Sequence, residues 1–175
     1  WSEEEGALQR AAGGEVYRGS ILEHLLIQQL AAFYDVGERN IYRLRGADWN
    51  DALDMAGERG GSVAFTCAYA GNLGELAELI RRLERDDPGA TVELMEEIAL
   101  LLSLPAAYYD SVEQKREVLS RYASRCRHTV SGKRVRVPLS ALAADLEEKA
   151  GWLTNHLRSQ EWINAGPGEG WFNSY

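Results

Sequence analysis

A chain of 175 residues with a 45% hydrophobic share is long enough to bury a sizeable core. Lys and Arg number 19 against 27 Asp and Glu, and the net charge of −8 disfavours phosphate backbones and anionic membranes, which argues against nucleic acid and membrane as partners. No apolar run is long enough to cross a bilayer, no secretory leader follows Trp1, and Cys67 and Cys126 read as reduced core thiols in apolar helical contexts, so a cytoplasmic protein is expected.

The first element begins at Ser20, where a capping hydroxyl stands three residues before Glu23 and Leu22, Leu26, Leu30 and Phe33 follow at helical spacing. Ile21, Leu25 and Ile27 make this helix apolar on its other faces, which predicts an inner, mostly buried position. Asp35-Val-Gly37 ends it. A second helix is predicted from about Ser62 to Leu83, with Leu73, Leu76, Ile80 and Leu83 on its stripe and the small residues Ala64, Ala68, Ala70 and Gly71 allowing close packing.

Asp86-Asp-Pro-Gly89 reads as a turn, and Thr91 as the cap of a short apolar helix through Leu102 that Pro105 stops. Asp110 with Glu113 forms a second capping pair opening an amphipathic helix through about Cys126. The period then changes: Thr129–Val137 alternates around Ser131-Gly132, which predicts a small hairpin. From Pro138 a helical stripe returns with Leu139, Leu142, Leu146, Ala150, Leu153 and Leu157. The closing GPGEGWFNSY reads as a glycine-rich loop. These elements imply an all-α fold of about six helices with inner helices ringed by outer ones, and no internal repeat marks a solenoid.

The stretch RGADWNDALDM, residues 45–55, sets three acids, an Asn and a Trp into a helical apolar pattern. It admits a helix start, with Asp48 as N-cap and Asp51 at the third helical position. A calcium loop fails, because Leu53 stands where the EF-hand template needs Gly and Ala52 where it needs a ligand. A carbohydrate site fits the same residues. Trp49 packs on the C–H face of a sugar, Asp48, Asn50 and Asp51 address hydroxyls or the glycosidic oxygen, and Arg45 neutralises nearby charge. No Cys/His cluster has metal-ligand spacing, and no metal is expected.

GADWNDALDMAGERGGSVAF resembles the motif region of the cellobiose phosphorylase family, inverting enzymes that include cellobiose, chitobiose and 1,2-β-oligoglucan phosphorylases. VYRGSILEHLL, HTVSGKRVRVP and GWFNSY resemble family segments in the same order, so the likeness runs through nearly the whole chain. Two positions depart from the pattern: Gly61 where Glu is expected before Ser62, and Ser174 where Gly commonly follows Trp-Phe-Asn.

The resemblance implies an (α/α)6 barrel in which Asp51 is the general acid and Trp49 lies in the sugar subsite. The chain, 1–175, then reads as a single incomplete domain: it offers about six helices where the barrel needs about twelve, and the phosphate-binding loops are expected beyond it. No cofactor is implied. The substrates are a β-linked gluco-oligosaccharide, with a slight lean to the 1,2 linkage, and inorganic phosphate; the oligomeric state is not legible.

An inverting hydrolase uses two carboxyl groups, whereas phosphate is already an anionic nucleophile and one suffices. An inverting hydrolase on the same barrel remains an alternative and would use Asp54 or Glu58 as second carboxylate. A noncatalytic carbohydrate-binding module is the other. Among further candidates, Glu23 is explained by its capping box, His24, His128 and His156 have no paired ligand, and Trp171, Phe172 and Asn173 fit either a sugar site or an aromatic-anchored turn.

Overall fold

The computed structural model describes residues 8–44 and 60–173. Helix α1, Ile21–Tyr34, starts where the sequence places it. The Ser20 side chain accepts from the Glu23 N–H, and the Glu23 carboxylate accepts from the Ser20 N–H at 2.6 Å, completing a capping box. Leu26, Leu30 and Phe33 are buried, but Ile21 and Leu25 are exposed, so this helix is one-sided rather than sheathed.

Helix α2, Val63–Asp86, is capped by Ser62, whose hydroxyl accepts from the Phe65 N–H. Its buried stripe is Leu73, Leu76, Ala77 and Ile80. Of the small residues near its start only Ala70 packs into the core; Ala64, Ala68, Gly71 and also Cys67 face solvent, so Cys67 is not a core thiol. Helix α3, Val112–Cys126, is capped by Ser111 rather than Asp110, because the Asp110 carboxylate instead accepts from the Trp152 indole N–H at 2.9 Å.

Helix α4, Leu139–Gln160, packs along α2 and buries Leu142, Ala143, Leu146 and Leu153. With Leu26, Leu30, Phe33 and Tyr109 these residues form one continuous apolar core. Helix α1 closes it by packing on both α2 and α3. The described residues are thus mostly helical, as expected, with three two-stranded sheets.

Three further local readings are overturned. Thr91 does not cap a helix: β2, Thr91–Met95, is a strand followed by a 3₁₀ helix over Glu96–Leu101. No hairpin forms at Ser131-Gly132 either. Strand β3, Thr129–Val130, runs parallel to β1, Arg10–Ala11, while β4, Arg134–Pro138, pairs antiparallel with β2 in the register Leu94↔Val135. The distant partner β2 takes the ladder hydrogen bonds that a local hairpin would have used, and the alternation of Val135 and Val137 serves either pairing equally.

The tail is the third. Instead of a loop, residues 162–172 form a hairpin, β5 Trp162–Gly166 and β6 Glu169–Phe172, turning at Pro167-Gly168. Gly170 makes it possible: a Cβ there would stand 2.5 Å from the Trp162 ring, which lies across the backbone at that point.

Candidate functional site

The expected site residues Arg45, Asp48, Trp49, Asn50 and Asp51, with Asp54 and Glu58, lie outside the described residues. What is described is the base from which that segment springs. Arg43 forms an antiparallel bridge with Gly61, the Leu44 N–H donates to the Gly60 carbonyl at 3.2 Å, and the Ser62 N–H donates to the Tyr42 carbonyl at 2.9 Å. Residues 44 and 60 are therefore hydrogen-bonded neighbours.

Beneath this neck Ile41, Val63 and Leu157 pack as a small buried cluster, seating it on the last turn of α4. A Cβ at Gly61 would fall 2.6 Å from Ile41 Cγ1, so Ile41 fills the room that a side chain at 61 would need. The departure at Gly61 thus has a local partner in Ile41.

The neck is fixed by a tight turn over residues 37–40. Its hydrogen bonds run from the Asn40 N–H to the Gly37 carbonyl at 3.0 Å and from the Gly37 N–H to the Ile41 carbonyl at 2.9 Å. Asn40 adopts a left-handed backbone, φ 59°, which asparagine tolerates better than most residues. Its side chain is buried and bonded at both ends: Nδ2 donates to the Tyr109 carbonyl at 2.9 Å, and Oδ1 accepts from Lys115 Nζ at 3.0 Å.

Lys115 has no solvent exposure, and its ammonium lies 3.8 Å from the Trp152 ring centroid and 4.2 Å from that of Phe33. Burial pushes its pKa down to about 6, against the pull of Asp110 and with the push of Lys149. The two rings favour the charged form. Lys149 is equally buried, donates to Asp145 Oδ1 at 2.6 Å and is likewise lowered by burial against the opposing effect of Asp145.

On the α4 side, Arg39 pairs with the buried Glu161, and its carbonyl lies 2.9 Å from His156 Nε2. The His156 ring stacks on Trp152, with centroids 4.8 Å apart. Glu161 also receives the Asn173 N–H on its carbonyl at 2.8 Å and the Asn173 Nδ2 on its carboxylate at 3.4 Å. Asn173 of the closing motif and the neck of the DWND segment are thereby brought to one end of the bundle. Trp171 and Phe172 are largely exposed on β6.

A cavity of about 570 Å³ opens beside the neck between α1 and α3, lined among others by Gln28, Asp35, Tyr42, Arg43, Tyr69 and Arg116. Tyr42 and Tyr69 lie 4.8 Å apart by ring centroid, and burial, with Tyr69 close by, pushes the Tyr42 hydroxyl up to about 12. Arg43 donates through two nitrogens to Asp35 Oδ1, at 3.0 and 3.1 Å. Aromatic faces beside fixed polar groups are suited to a polyhydroxylated ligand.

The other candidates are structural or remote. Glu23 accepts from Ser20 N–H, Tyr17 Oη and Met95 N–H; burial would raise its pKa, and these bonds outweigh that and hold it low. His24 and His128 are exposed. Among the described residues no three His, Cys, Asp or Glu side chains assemble a metal site, and no helix is long and apolar enough to cross a membrane.

Sequence reading missed Asn40, Lys115 and Glu161. The two charged ones sit in amphipathic helices or at a helix end where exposure is the default, and only their neighbours in space mark them.

No family model matches the chain. Over 80 residues it is 36% identical to the solabiose phosphorylase of Paenibacillus borealis, a match covering 45% of this chain and 10% of that protein. The chain is therefore related, over part of its length, to a glycoside phosphorylase, and the matched stretch is about a tenth of that relative's length.

Proposed function

We propose that the chain is part of the catalytic domain of an inverting glycoside phosphorylase of the cellobiose phosphorylase family, built on an (α/α)6 barrel and acting in the cytoplasm. The observation that carries this reading is the partial identity with a phosphorylase together with the Asp48-Trp-Asn-Asp51 motif. The tethering of that segment's base beside Asn173 supports it, since both resemblance-bearing segments then serve one region.

In this mechanism Asp51 is the general acid. Inorganic phosphate attacks the anomeric carbon of a β-linked gluco-oligosaccharide from the face opposite the glycosidic bond. That bond breaks, its electron pair goes to the leaving oxygen, and Asp51 delivers its proton there. The products are α-glucose 1-phosphate and the shortened sugar. Trp49 packs on the sugar face while Asp48, Asn50 and Arg45 hold hydroxyls and balance charge. A neutral acid near pH 7 needs a raised pKa, which a closed pocket and the phosphate charge supply.

The test is turnover of β-1,2-linked gluco-oligosaccharides by the intact protein with and without phosphate. Phosphate-dependent release of α-glucose 1-phosphate is expected. Phosphate-independent release of glucose instead identifies a hydrolase. Asp51→Asn is expected to lower kcat by roughly 10²–10⁴, and much less for a glucoside whose leaving group departs unprotonated.

A further inference from the structure

Glu161 bonds to Arg39, 122 residues before it in the chain, and to Asn173 of the closing motif. This side chain is 1% exposed, stands where α4 ends and β5 begins, and ties Arg39 of the 37–40 turn to Asn173 of the closing motif. Its second oxygen, Oε1, has no hydrogen-bond partner. Burying a carboxylate carries a desolvation cost that pairing must offset, and a well-packed apolar residue often serves stability as well or better. A carboxylate at this place is therefore suited to fixing geometry more than to holding the fold together.

We infer that Glu161 is a positioning residue: by holding Arg39 and Asn173 together it sets the neck of the DWND segment relative to the WFN strand. The path is short and continuous. Arg39 lies within the 37–40 turn, that turn leads directly into Ile41–Leu44, and Leu44 is bonded to Gly60 at the foot of the segment. Leu157, one turn before Glu161 on α4, packs against Ile41 and Val63 on both sides of the same neck. Misplacing a catalytic group by about 1 Å is enough to cost up to roughly a hundredfold in rate. The catalytic side of this inference rests on the phosphorylase reading; the mechanical side does not.

Amide hydrogen exchange on the full chain tests the mechanical side. The Leu44 N–H is bonded to the Gly60 carbonyl, and the Asn173 N–H to the Glu161 backbone carbonyl, which Glu161→Ala keeps. In that variant both are expected to exchange at least about tenfold faster because the side-chain anchor of both segments is gone, while Met95 and Leu139, bonded elsewhere, keep their rates. Glu161→Gln keeps a side-chain oxygen for Asn173 Nδ2 but no charge for Arg39, so the segment at Asn173 should be held again and its amide should recover, while Leu44 should not. Unchanged protection at Leu44 in the alanine variant, equal recovery at both sites in the glutamine variant, or free exchange of Leu44 in the wild type overturns the inference.

If Glu161→Ala loses protection everywhere, Arg39→Gln decides: its side chain is 46% exposed and leaves the core closed. Faster exchange at Leu44 then supports the inference and an unchanged rate overturns it. Turnover of the intact protein tests the catalytic side, where Glu161→Gln should lower kcat about tenfold or more with KM within about threefold. A raised KM at constant kcat rejects positioning. A wild type without phosphorolysis rejects the functional reading and with it the catalytic role, while the exchange result stands.

Discussion

The α2/α4 core and the bracket around residues 37–40 are held by different physics. In the first, Leu73, Ala77 and Ile80 face Leu142, Ala143, Leu146 and Leu153, and many small dispersion contacts add up without any one being decisive. In the second, Asn40, Lys115, Arg39 and Glu161 make a few directional bonds, each leaving a buried polar atom stranded if its partner is lost. The core supplies stability, and the bracket supplies a position.

If that division is right, Leu146→Ala should cost about 2–5 kcal/mol in denaturant unfolding, because Leu146 has no exposure and its loss leaves a cavity. The base of the DWND segment should keep its exchange pattern until global unfolding. A selective loss at Leu44 would break the comparison by showing that the core, too, sets the neck.

Lys115→Met should change the pH dependence of stability. The folded pKa of Lys115 is lowered to about 6, below the ordinary lysine value near 10.5, so the unfolded chain binds its proton first as pH falls. The Lys115 contribution to stability should therefore rise with pH between those values and be flat below about 6. Removing Lys115 should take away up to about 1.4 kcal/mol per pH unit of that slope. Lys149, lowered in the same direction, keeps part of it. Identical urea titrations of the two proteins from pH 6.5 to 9.5 would show that Lys115 carries no linked proton.

Gly61→Ala should cost about 1–3 kcal/mol through the clash with Ile41. Pairing it with Ile41→Val should recover part of the loss, which sharpens the view that Ile41 fills the space above Gly61. Additive effects in the double variant would deny it. The smallest change is Ser62→Ala: loss of the α2 cap should cost about 1 kcal/mol, since the Phe65 N–H loses its acceptor. A melting temperature equal to wild type would mean that water replaces the cap at no cost.

The helices were legible because their signals are local. Ser20 with Glu23 specifies a capping box, and the stripes from Leu73 to Ile80 and from Leu139 to Leu157 specify buried faces regardless of what covers them. The relation to a phosphorylase was legible too, since it rests on residue identity. Strand pairing was not. Thr91–Met95 and Arg134–Pro138 become strands only because each finds the other across a distant part of the sequence, and Val135-Arg-Val137 alternates alike for a near or a far partner. The polar bracket was equally hidden. A lysine in an amphipathic helix reads as solvated, and only the placing of Phe33, Trp152 and Asn40 around Lys115 takes it out of water. Periodicity and capping are properties of neighbours in sequence, so the sequence determined them alone; pairing, desolvation and the joining of Arg39 to Asn173 through Glu161 are properties of neighbours in space, and only the tertiary structure decided them.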